Sequence, residues 1–279
     1  MPKKTKNKKT LKRAATGKIS TKDRGNEHVV DHDGGQILTE SVLQNWLTPL
    51  STFESITPEA AALAVQAEES HSLRRRPLKE LTGLKHLSDA AARSLSKHDG
   101  GLYLSGLESL SDAAAQSLSK HKGDLYLSGL ESLSDAAAQS LSCHEGELDL
   151  SGLKILLDTP GHIALAERFS RREGSLFLKS LKILSDAAAQ SLSCHEGSLF
   201  LNSLKILSDA AAQSLGKHKG DLYLPGLKSL SDAAARSLSK HKGDLNLYGL
   251  ESLSDAAAQS LSAFDSQWRL GVSVDLAPN

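Results

Sequence analysis

The chain has 279 residues, its 33 Lys and Arg are balanced by 33 Asp and Glu, and apolar side chains make up 39% of it. Two cysteines exclude a disulfide scaffold or a four-thiolate zinc site, and no run approaches the roughly 18–20 apolar residues of a membrane helix. The Lys-rich start has no apolar stretch behind it and does not read as a secretory signal.

The zero net charge hides an asymmetry. Residues 1–35 hold ten Lys and Arg against four Asp and Glu, which leaves the remainder acidic. The basic groups include Lys3, Lys4, Lys6, Lys8, Lys9, Lys12 and Arg13. So polar a segment cannot bury enough surface to offset its ordering entropy, so a disordered arm is expected over 1–35. It could reach nucleic acid, an anionic membrane surface or an acidic partner, or simply remain solvated. It carries no aromatic side chain for base stacking.

Residues 36–78 read as an N-terminal cap with a degenerate repeat. A short amphipathic helix is expected over Ile37–Trp46, starting near Thr39, with Leu43, Trp46 and Leu47 lying over the first unit. A worn copy follows at Leu50, Phe53 and Ile56, then Thr57-Pro58-Glu59-Ala60-Ala61.

From residue 79 to 267 the text repeats, eight times in all. Leu102-Tyr103-Leu104 recurs every 23 residues, except for one interval of 28 between Leu148 and Leu176. The unit reads L-x-L-x-G-L-x-x-L-S-D-A-A-A-x-S-L-S-x-H-x-G-x, and repeats of this length mean a solenoid. Alternation within L-Y-L sends both leucines inward and the middle residue out. Ser111 is a good N-cap, Asp112 suits the positive end of a helix, and Ala113, Ala114 and Ala115 favour one. Leu118 completes its buried face, and Gly123 stands where a helix C-cap glycine belongs. In the irregular unit, 148–175, Thr159-Pro160-Gly161 predicts a loop, with a helix at about 162–171 carrying Arg168, with Arg171 and Arg172 at or just beyond its end. Residues 268–279 read as a C-terminal cap, Trp268 taking the place of Leu245 and Leu270 that of Leu247.

The array resembles the leucine-rich repeat family, and LESLSDAAAQSL is similar to the short 23-residue units of some bacterial members. The Asn that commonly follows the family's strand is here Leu107, Leu130 or Leu153. The resemblance implies an α/β solenoid that is curved, with a parallel sheet on its concave face and short helices on its convex face. Strands spaced about 4.8 Å apart against helices about 8–10 Å apart lead to the same curvature.

The middle strand positions hold Tyr103, Tyr126, Asp149, Phe177, Phe200, Tyr223 and Asn246, and Tyr248 joins them one outward slot later. Five of seven are aromatic in a chain that is 4% aromatic. An exposed aromatic stripe marks a binding surface, although rings stacked between strands also stabilise a sheet. Asp124, Glu147, Asp221 and Asp244 precede strands and should form an acidic rim. The expected function is a non-enzymatic, cytoplasmic scaffold that binds protein or peptide on this face. The alternatives are nucleic-acid binding through the arm and carbohydrate binding on the stripe.

His98, His121, His144, His195, His218 and His241 share one slot. The slot falls at the buried end of the helix, where a histidine can bond the last carbonyls. A structural role is expected, with no metal and no cofactor. Cys143 and Cys194 lie two units apart, roughly 10 Å by strand spacing, too far for a disulfide, so free thiols are expected. No G-x-S-x-G, P-loop, H-E-x-x-H or dinucleotide fingerprint occurs.

Overall fold

A computed structural model describes residues 12–13, 19–23, 26–30, 35–44, 49–70, 77–262 and 268–270. Strands β1 (Lys12–Arg13), β2 (Ile19–Asp23), β3 (Asn26–Val30) and β4 (Gln36–Leu38) pair antiparallel in sequence order, and β5 (Ser55–Ile56) adds in parallel to β4. The segment expected to be a disordered arm therefore contains three strands. Lys3, Lys4, Lys6, Lys8 and Lys9 lie outside the described residues. The helix expected over 37–46 is described only in part, and it starts just after Thr39 as expected. Ile37 and Leu38 belong to β4, and α1 spans Glu40–Gln44 with Leu43 buried. Trp46 and Leu47 lie outside the described residues. The worn copy is a strand–helix unit, β5 followed by α2 (Pro58–Ser70).

The unit that begins at residue 79 has a 3-10 turn over Pro77–Gly83 in place of a strand, followed by α3 (Asp89–Leu95). From there the units alternate: β6 (Leu102–Tyr103), α4 (Asp112–Leu118), β7 (Leu125–Tyr126), α5 (Asp135–Ser142) and β8 (Leu148–Asp149). The irregular unit adds β9 (Ile155–Leu156) and α6 (Pro160–Ser170), and the next begins with β10 (Leu176–Phe177), β11 (Ile183–Leu184) and α7 (Asp186–Leu192). The array continues through β12 (Leu199–Phe200), α8 (Asp209–Leu215), β13 (Leu222–Tyr223), α9 (Asp232–Leu238), β14 (Leu245–Leu247), α10 (Asp255–Ser262) and β15 (Trp268–Leu270). Trp268 pairs opposite Leu245 and Leu270 opposite Leu247, the register predicted from the sequence.

Consecutive units stack side by side. Leu102 N–H donates to Asp124 O at 2.8 Å and Leu104 N–H to Tyr126 O at 2.9 Å, and the same pair of bonds recurs at Leu125/Leu127, Leu176/Leu178, Leu199/Leu201 and Leu222/Leu224. Between sheet and helices run columns of leucine. Leu104, Leu107, Leu118, Leu127, Leu130 and Leu141 are all fully buried, as are Ala114, Ala115, Ala137 and Ala138. One unit exposes half of such a core, and stacking covers it.

Two small groups set the spacing. Ser111 accepts the Ala114 N–H at 3.1 Å, the expected N-cap bond, and its hydroxyl also donates to Asp89 of the preceding helix. Ser134–Asp112, Ser208–Asp186, Ser231–Asp209 and Ser254–Asp232 repeat this link. The helix N-termini are thus tied sideways by charge-assisted bonds. The glycines act by their lack of volume. A Cβ on Gly123 would lie 2.2 Å from Gly100 O, and one on Gly129 2.3 Å from Ser105 O. The C-cap of α4 is Ser119 in ordinary helical geometry, so Gly123 is not the left-handed cap expected of it. Among the described glycines only Gly174, at φ +76°, has a positive φ.

The irregular unit corrects another expectation. Pro160 and Gly161 do not form a loop. They open α6, with Thr159 as N-cap and Pro160 in the first turn, where its missing N–H costs nothing. Gly161 N–H donates to Asp135 Oδ1 at 2.7 Å, and a Cβ there would lie 2.0 Å from Asp135 O. The longer helix takes up much of the insertion. On the opposite side the sheet splits: β6-β7-β8 form one sheet and β10-β12-β13-β14-β15 another. Across the split, β9 pairs in parallel with β11 instead.

Candidate functional site

The middle strand residues project from the sheet as expected, with each flanking leucine buried. Their rings form two stacks. Tyr103 and Tyr126 lie 4.6 Å apart, centroid to centroid, at 9°. Phe177 and Phe200 lie 4.7 Å apart, and Phe200 and Tyr223 4.2 Å. At these separations nothing fits between rings of one stack, so a ligand meets their edges. Rings at these distances and angles make favourable contacts along the sheet, and Phe177 is still 47% exposed. Tyr248, at the far end, is 51% exposed.

Asp149 separates the stacks at the split between β8 and β10. A notch of about 390 Å³ opens there, lined by Tyr126, Glu147, Asp149, Arg172, Phe177 and Lys179 together with Ser151 and Ser175. Phe200 covers one face of Phe177, and the Lys179 ammonium stands 4.8 Å from its ring centroid. Such a cation over a ring is a favourable contact. Asp149 Oδ1 accepts the Ser151 N–H at 2.9 Å, and Asn246 Oδ1 accepts the Tyr248 N–H at 3.2 Å. Both breaks in the aromatic row are therefore local turns held by a short polar side chain. Burial, then the carboxylate of Asp124, pushes the Tyr126 phenol above its ordinary value.

The acidic rim is partly committed to the fold. Asp124 Oδ1 accepts the Glu147 N–H and Asp221 Oδ1 the Asp244 N–H, each at 3.1 Å and each one unit away. Asp221 Oδ2 also accepts from the Ser198 hydroxyl. Glu147 pairs with Arg172 at 2.6 Å.

Arg172 has a role that its sequence context did not reveal. It takes the histidine slot of the irregular unit, two residues before the unit's glycine. Its guanidinium donates to Leu148 O at 3.3 Å as well as to Glu147, and Arg168 Nη2 donates to Gly146 O. Arg172 thus satisfies a β8 carbonyl, and Arg168 one in the loop just before it, where the next strand turns away. Only Arg171 points elsewhere, to the exposed Glu167 one helical turn back.

The histidine column lies inside. His121, His144, His218 and His241 are 1–3% exposed. Neighbouring rings stack with centroids 6.0–6.2 Å apart, in two blocks either side of Arg172. Burial pushes all four below their ordinary value. Backbone carbonyls such as those of Gly100 and Ser96 beside His121 oppose this more weakly. They approach without well-aligned bonds, since neither ring nitrogen of these four has a hydrogen-bond partner. His195 Nδ1, 3.3 Å from Ser170 O, is the member that meets a helix-end carbonyl. Among the described residues no three His, Cys, Asp or Glu side chains gather in a metal-binding set. Cys143 and Cys194 are free and exposed. No helix among the described residues is long and apolar enough to cross a membrane.

No family model matches the chain, and no curated protein matches it. Among solved structures, it is similar to a chain in the Toll–Spatzle complex, described as a molecular hub in Drosophila development and innate immunity. The two are 10% identical with a TM-score of 0.35, over 94% of this chain and 34% of that one. This chain thus spans about a third of the length of that relative, and the likeness is too slight to bear on function.

Proposed function

We propose that this protein is a non-enzymatic leucine-rich-repeat scaffold of the short bacterial type that binds a polypeptide on its sheet face. Helix axes need about twice the spacing of strands, which would make that face concave. The observation that carries the reading is the pair of ring stacks flanking the notch. They offer rigid apolar edges with phenol tips, the chemistry of interface anchors, and the notch gives one partner side chain a polar seat between Asp149 and Lys179. Exposed thiols at Cys143 and Cys194 suit a reducing compartment, the cytoplasm. The test compares proteins captured by the wild type and by a Tyr126→Ala/Phe177→Ala variant, using quantitative mass spectrometry. A specific partner lost from the variant, with circular dichroism unchanged, is the expected result. Equal capture by both would remove the site.

A further inference from the structure

One column of the array changes character in its middle. Just before the helix, four of the eight units carry Ser109, Ser132, Ser229 or Ser252, and the first carries His86. Three consecutive units carry Ile155, Ile183 and Ile206 instead. These isoleucines point outward while the next residues, Leu156 and Leu207, are buried and Leu184 is half-buried. Ile155 and Ile183 are paired directly across β9 and β11. Exposure rises along the row from half-buried Ile155 to 51% at Ile183 and 81% at Ile206. Leu157, 41% exposed, adjoins it. An aliphatic side chain left four-fifths in water, in copies whose neighbours use serine at the same point, is what an uncovered contact surface looks like.

The residue before each isoleucine points to what covers it. That column reads Lys85, Glu108, Glu131, Lys154, Lys182, Lys205, Lys228 and Glu251. Lys85 pairs with Glu54, Lys154 with Glu131 and Lys228 with Glu251. Among the described residues, Lys182 and Lys205 have no carboxylate within ion-pair distance. The two unpaired cations thus stand beside the two most exposed isoleucines.

We infer that the Lys182-Ile183 and Lys205-Ile206 edge is a second docking surface, distinct from the ring stacks, whose occupant is an acidic, amphipathic polypeptide segment. Its carboxylates would pair with the two lysines, and its apolar side chains would cover the two isoleucines. An anionic membrane fits less well, because two unpaired lysines make a shorter basic run than the roughly 4–8 that read as a lipid-binding cluster.

The test uses the full chain and fluorescein-labelled peptides built from Glu-Leu-Glu-Glu-Leu blocks, with Lys-Leu-Lys-Lys-Leu blocks as the reversed-charge control. Fluorescence anisotropy should show salt-sensitive binding of the acidic peptide only. An Ile183→Ser/Ile206→Ser variant, which restores the residue the other units carry and so keeps the fold, should bind at least roughly tenfold more weakly. Lys182→Glu/Lys205→Glu should abolish binding. Tyr126→Ala/Phe177→Ala should leave it unchanged, which separates this surface from the proposed function. Absent binding, equal binding by the serine variant, or loss with the ring variant overturns the inference. So does preference for vesicles of phosphatidylserine and phosphatidylcholine, or concentration-dependent dimerisation that only the serine variant lacks.

Discussion

Acid should dismantle this array from within. His121, His144, His218 and His241 are buried and held below the ordinary histidine value of 6.5, chiefly by that burial. Arg168 adds to the effect at His144, and neighbouring histidines add to it at the other three; Asp221 opposes it at His241. Their folded values lie below their unfolded ones, so the unfolded chain binds more protons and stability rises with pH. The contribution is complete above pH 6.5 and is lost as pH falls below it. Each ring that stays neutral in the fold while titrating in the unfolded chain costs about 1.4 kcal/mol per pH unit. Four rings set a ceiling of roughly 6 kcal/mol per unit, comparable with the whole stability of many domains. Urea unfolding followed by circular dichroism from about pH 7.5 to about pH 5 should show the midpoint falling steeply below 6.5. His121→Phe/His144→Phe, which keeps a ring in two of the four places, should roughly halve the slope. A midpoint that stays level across this window, or a slope the variant leaves intact, would refute the reasoning.

Two further outcomes test the joints between units. Gly129→Ala would place a methyl 2.3 Å from the Ser105 carbonyl, and it should destabilise by about 1–3 kcal/mol, as overpacking does, instead of gaining from reduced chain entropy; a thermal melt decides. Ser134→Ala should cost about 1 kcal/mol or more, since the hydroxyl both caps α5 and donates to Asp112. A double-mutant cycle with Asp112→Ala should return a coupling of at least about 0.5 kcal/mol, and additive effects would mean that the sideways bond contributes nothing.

The leucine columns, the outward middle residue and the serine caps were legible because each is local: alternation and helical spacing decide them within one copy. So was the burial of the histidine slot, from its distance to Leu118. What escaped was contact between copies. A periodic text does not say that Asp112 binds a serine 22 residues on, that Gly123 yields to a neighbouring carbonyl, or that Asp124 and Asp221 are spent on backbone N–H groups. The split of the sheet escaped for the same reason, although Arg172 standing where six of the other seven units have histidine was a visible sign of it. The change from Glu-Ser to Lys-Ile was equally visible. Its meaning depends on which turn residues face water, and that is set by packing between copies, not by alternation within one. Strands β1 to β3 were missed because composition argued for disorder, while pairing with β4 supplies a partner that composition cannot express.

Near-identical copies bring a hazard of miscounting. Where adjoining surfaces are interchangeable, a growing stack can skip a copy and still satisfy most of its bonds. The unit at 148–175 works against this, because its fittings are unique: Gly161 against Asp135, Arg172 against Leu148 and Glu147, β9 against β11. A stack that skipped this copy would lose the arginine bonds and leave β11 without its partner strand. The irregular unit serves as an index mark in an otherwise uniform ruler.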